Sequence, residues 1–125
     1  MPMPPPRRLD LWVPPLLLMA VIFVLSHQPS LDSGLGLLDT IGRKLGHFAE
    51  YALLCLLWWR VFAHGMPARR AALAAFLVSS AYAATDELHQ AFVEGRHGTP
   101  VDWAIDSAGA ALAAVGLRSR DRAPT

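Results

Sequence analysis

Four apolar segments, each near the ~20 residues that carry a helix across a ~30 Å hydrocarbon layer, constrain this chain more than any other feature. They run from about Leu9 to Ser26, His47 to Ala63, Arg70 to Phe92 and Val101 to Leu117. The second and fourth are short and call for a thin or locally perturbed bilayer. A water-soluble helical bundle is the rival, and it needs a polar face along each helix. The stretches "AALAAFLVSSAYAA" and "AIDSAGAALAAVGL" have none. A chain that is 54% hydrophobic and 17% charged fits the membrane reading better. The expected fold is all-α, a bundle of four transmembrane helices in the cytoplasmic membrane.

The connecting segments support this division. "HQPSLDSGLGLLDTIG" carries a proline and three glycines and is too interrupted to span. "HGMPARR" and "EGRHGTP" are short turns, with Pro100 placed to start the last helix. Residues 1–8 form a proline-rich terminus, 9–117 the membrane domain and 118–125 a tail. The first segment is long for a signal peptide and lacks a small-x-small cleavage site, so it is expected to be retained. Pro14 and Pro15 early in it predict a kink. Arg7, Arg8, Arg60, Arg69, Arg70, Arg118, Arg120 and Arg122 fall on one side, against Arg43, Lys44 and Arg96 on the other. By the positive-inside rule both termini are then cytoplasmic.

This orientation sends the ionisable residues to the opposite, outer half. His47, Glu50 and Tyr51 lie at i, i+3, i+4 near the start of the second segment. Asp86, His89 and Gln90 repeat that spacing at the end of the third, and Asp102 and Asp106 are i, i+4 at the start of the fourth. Each set shares one helix face, whereas Glu87 points elsewhere, to the interface or another helix. Three such faces turned inward build a polar pocket open to the outside. A carboxylate at mid-membrane costs ~2.5–3.5 kcal/mol on insertion scales, so these groups need partners such as Lys44, Arg96, His47 or His89. The alternative is a salt-bridged plug that only fixes helix packing; the excess of acids over cations weighs against it.

Other features have plainer explanations. Trp58, Trp59 and Arg60 suit an interfacial anchor, as do Trp12 and Trp103. Gly109 and Gly116 give the last helix a smooth surface for close packing. Ser79 and Ser80 are expected to bond to their own helix backbone. A net charge of +1 provides no basic surface for nucleic acid. The lone Cys55 excludes an intrachain disulfide and reads as a small buried apolar residue.

Taken in order, "SHQP", "KLGHFAEYALL", "DELHQAFVEGR" and "VDWAIDSAGAALA" resemble the VanZ-like family of small integral membrane proteins, over about Ser26 to Gly116. That family usually has asparagine where this chain has Asp106. Its namesake is an accessory factor in resistance to the glycopeptide teicoplanin, so the resemblance implies a role in the bacterial cell envelope.

The residues leave several functions open. One is recognition or modification of a lipid-linked or amphiphilic envelope molecule. Glu50 and Asp86 are then candidate acid and base, and His47 and His89 proton carriers. Lys44, Tyr51, Glu87, Gln90, Arg96, Asp102, Asp106 and Gln28 would bind the substrate. A metal variant draws ligands from His47, Glu50, Asp86, His89 and Asp102. The residues do not identify a cofactor. The other classes are a proton- or ion-linked transporter subunit, and a module docking on itself or on a larger membrane enzyme. Intramembrane acids suit the former, but the inner half offers no polar path.

Overall fold

The computed structural model of the chain describes residues 8–27, 36–92 and 100–120. These form four helices and no strand: α1 (Arg8–His27), α2 (Leu37–Phe62), α3 (Ala68–Ala91) and α4 (Pro100–Leu117). α1 continues through Pro14 and Pro15 as one helix. Its window Arg8–Leu25 is the one stretch, among the described residues, long and apolar enough by composition to cross a membrane. In α3 and α4 the acids at one end dilute an otherwise apolar sequence.

α2 begins ten residues before the expected start at His47. The chain breaks at Gly36, whose φ of +60° is a left-handed conformation that side chains disfavour. Gly42, also counted as an interruption, lies inside the helix instead. An internal glycine costs a helix only ~1 kcal/mol, and the segment Leu37–Gly46 carries no proline to stop it.

The order of side-chain contacts defines the topology. Lys44 meets Asp102, His47 meets Asp106 and Phe48 meets Gly109, so α2 and α4 run parallel. Tyr51 meets Asp86 and the Trp59 indole donates to the Ala68 carbonyl, so α3 runs against α2. Tyr82 donates to the Met19 carbonyl and His89 stacks on Phe23, which makes α1 parallel to α3. The bundle is therefore up-down-up-down. α2, α3 and α4 pack on one another, α2 most extensively on α4; α1 lies against α2 and α3 alone among the described residues.

One stripe of α2 organises this trio. Lys44, His47, Tyr51, Leu54, Trp58 and Val61 follow the three-four spacing of a helix that buries a single seam. From Tyr51 onward these residues are buried. Ala75, Ala83 and Ala110 face them across the seam, small enough to let the helices approach closely. Trp58 is core, 5% exposed, and not the interfacial anchor expected for it. It stands edge-on to Trp12, with ring centroids 5.4 Å apart, and stacks on Phe62. Ser80 also departs from expectation. Its hydroxyl lies 2.9 Å from that of Ser107, and its carbonyl accepts from the Trp103 indole, so this pair clasps α3 to α4.

The outer surface is apolar to an extent unusual for a chain in water. Leu17, Phe23, Leu53, Leu73, Leu77, Leu112 and Val115 are all exposed, as is most of α1.

Candidate functional site

The polar ends of α2, α3 and α4 meet in a ladder of three contacts, each deeper than the last. Outermost, Lys44 Nζ lies 3.1 Å from Asp102 Oδ1, with both side chains partly exposed. Next, His47 Nδ1 lies 3.3 Å from Asp106 Oδ1. Deepest, the Tyr51 hydroxyl donates to Asp86 Oδ2 at 3.2 Å, with Tyr51 fully buried. Below this rung the seam turns apolar at Leu54, Cys55 and Ala110. The ladder exists because α2 and α4 are parallel. Steps of one turn along α2 from Lys44 to His47 to Tyr51 keep pace with Asp102 and Asp106 on α4, while α3 supplies Asp86 from the opposite direction.

His47, Asp86 and Asp106 can each offer one ligand atom within 4.8 Å of the other two. Asp86 and Asp106 are 5% and 3% exposed. His47 Nδ1 and Asp106 Oδ1 are within ion-pair distance, yet their angles do not make a hydrogen bond, and each is buried without any other hydrogen-bond partner. Glu50, half-buried one turn after His47, lies within electrostatic reach of His47, Asp86 and Asp106. The converging group thus holds two carboxyl groups and one imidazole, with Glu50 outside it, while the ammonium of Lys44 is engaged by Asp102.

The other sequence candidates fall outside this group. His89 stacks on Phe23, ring centroids 4.6 Å apart, and so turns toward α1. Asp102 belongs to the outer rung with Lys44. Of the five residues considered for a metal, His47 and Asp86 converge, Glu50, His89 and Asp102 do not, and Asp106 joins them instead. Glu87 is partly exposed and not one of the converging residues. Gln28, Arg96 and the Gln90 side chain lie outside the described residues. Tyr82 was not singled out from the sequence. Its ring lies 6.4 Å from that of Tyr51, and its hydroxyl ties α3 to Met19 of α1. Its position one turn before Asp86 is the signal that could have found it.

The outer rung is the least consequential for stability. An ion pair this exposed contributes ~0–1 kcal/mol. Lys44→Ala should therefore leave the thermal unfolding of the detergent-solubilised protein nearly unchanged. A collapse of stability would mean that this rung holds α4 in place.

A family model described as VanZ/LLP1 matches residues 11–119 of the chain. No curated protein and no solved structure matches it significantly.

Proposed function

The chain belongs to the VanZ/LLP1 family, and from that premise we propose that it is a multi-pass protein of the cytoplasmic membrane. Its polar ladder recognises or modifies a lipid-linked or amphiphilic component of the cell envelope. The observation that carries this reading is the cluster of His47, Asp86 and Asp106, drawn from three helices into one group with both aspartates buried. Ionisable groups within membrane segments are costly and rarely kept without a task.

The rest of the bundle suits a bilayer. The apolar sides of α1 and α3 have nothing else to cover them among the described residues. At the end opposite the ladder, Arg69, Arg70 and Arg118 ring a groove of about 490 Å³ between α3 and α4, otherwise lined by Leu73, Phe76, Val115 and alanines. Cations at that end fit anionic headgroups on the cytoplasmic face. The ladder then opens to the outer leaflet at headgroup depth, where an envelope amphiphile presents phosphate or sugar. Lys44 at the rim would meet the anionic part, and the deeper carboxyl groups would accept hydrogen bonds from hydroxyls or exchange protons. A transporter is less well supported, since the seam below Tyr51 is closed by Leu54, Cys55, Trp58 and Ala75.

Native mass spectrometry of the detergent-purified protein tests the reading against phosphatidylglycerol, a glycolipid and a prenyl-phosphate-linked saccharide. Wild type should retain one class selectively. Asp86→Asn should weaken that retention about tenfold or more, equivalent to ~1.4 kcal/mol of binding. Gly116→Ala, at the far end of the bundle, should not. Equal retention by wild type and Asp86→Asn, or retention of none of the three, would remove the basis for the proposal.

A further inference from the structure

We infer that His47, Asp86 and Asp106 form a binding site for a divalent transition-metal cation of the Zn²⁺ or Mn²⁺ type. The donor set is the first argument. One imidazole nitrogen and two carboxylate oxygens, each from a different helix, are within 4.8 Å of one another. Such mixed nitrogen–oxygen sets suit Zn²⁺ and Mn²⁺ and leave coordination positions open for water or an incoming oxygen ligand.

The second argument is the contact between His47 and Asp106. A buried imidazole and carboxylate that serve only each other normally align a hydrogen bond. Here the two atoms stand 3.3 Å apart, off the hydrogen-bonding direction, and neither has another hydrogen-bond partner. Asp106 is more than nine-tenths buried. Two ligands ~2.0–2.1 Å from one tetrahedral ion are themselves ~3.3–3.4 Å apart. The pair's separation, that of a direct ion pair, also matches two ligands converging on a third body.

Burial is the third argument. Asp86 and Asp106 are 5% and 3% exposed and offer their oxygens to the same small space as the His47 imidazole. Carboxyl groups held inside a protein are at home where they coordinate a metal.

Tyr51 completes the arrangement from outside the ligand set. Its hydroxyl donates to Asp86 Oδ2 and fixes the carboxylate's orientation, as partners of metal-ligating carboxylates do. The inference rests on the preceding reading in one respect: that the cluster is a binding site. It requires no envelope amphiphile, so the two can fail separately.

The test is metal uptake by the full chain in detergent. After chelator treatment and dialysis, the protein is titrated with Zn²⁺ and with Mn²⁺, and bound metal is measured by elemental analysis. Wild type should take up one ion per chain. Asp106→Asn, nearly unchanged in shape, and His47→Gln should each lose it, with helical content retained by circular dichroism. Tyr51→Phe should weaken binding about 10- to 100-fold, the usual cost of losing an outer partner. Gly116→Ala, remote from the ladder and with open space for the added methyl, should bind as wild type does. The Co²⁺-substituted wild type should show intense visible bands of low coordination, a readout that needs no variant to fold. Absence of uptake by wild type, full uptake by Asp106→Asn and His47→Gln, or a Co²⁺ spectrum no different from free aqueous Co²⁺ would each overturn the site. Metal uptake by a wild type that retains none of the three lipids would uphold the metal and reject the amphiphile reading.

Discussion

Gly109→Ala is expected to lower the melting temperature of the detergent-solubilised protein sharply, and Gly109→Leu to abolish the folded state. Gly109 is buried where α4 crosses α2, and a Cβ built on it would run into the backbone carbonyl of Phe48. A side chain can rotate out of the way; a helix backbone cannot. The two helices must therefore move apart, losing contacts along the most extensive interface in the bundle. Overpacking of this kind costs ~1–3 kcal/mol for a small group and more for a large one. The displacement also reaches the site. Phe48 follows His47 directly, so separating the helices here pulls His47 away from Asp106. Gly109→Ala should then weaken metal uptake as well as stability. Gly116→Ala is the paired control, because an added Cβ there meets nothing within 4 Å. Thermal unfolding followed by circular dichroism reads both. If Gly109→Ala melts no lower than Gly116→Ala, the close crossing of α2 and α4 is wrong.

Trp58→Ala is expected to cost about as much, for the opposite reason: it empties a space. Buried aromatic residues cut to alanine typically cost ~3–5 kcal/mol. In the proposed membrane setting the lower end applies, since apolar groups released into lipid lose packing but meet no water. Trp58→Phe should be close to neutral. Its indole nitrogen is buried without a hydrogen-bond partner, and removing an unsatisfied donor leaves nothing behind unpaired. The pair of variants separates two roles for the residue. An interfacial anchor depends on its N–H at the headgroups, and phenylalanine would be the harmful change. A core residue depends on its volume, and alanine would be. Unfolding of both variants in detergent decides between them, and a greater loss in Trp58→Phe would contradict the packing against Trp12 and Phe62.

Much of this organisation was legible in the sequence. Hydropathy and turn residues marked four helices, and the ends of α1, α3 and α4 fall within two residues of those expected. The start of α2 was misplaced because glycine is read as a breaker. A local penalty of ~1 kcal/mol does not stop a helix that has no proline in its path. Helical spacing assigned His47 and Tyr51 to one face of α2, and Asp102 and Asp106 to one face of α4. It could not separate Asp86 from His89, which share a face of α3 yet reach different neighbours. Asp86 turns to Tyr51 on α2, and His89 to Phe23 on α1. Likewise nothing in "FLVSSAYA" indicated that Ser80 would meet Ser107 and not its own backbone.

Periodicity is a property of one helix, and the sequence by itself determined what is local: four apolar helices, a polar end on three of them, and the residues sharing each stripe. Only the tertiary structure decided which of those residues meet. That choice depends on the rotation and stagger of each helix against its neighbours, and both are set by close contacts such as Gly109 on Phe48. The parallel course of α2 and α4 follows from the chain order. The stagger that sets His47 beside Asp106, and Lys44 beside Asp102, comes from side chains far apart in sequence fitting together.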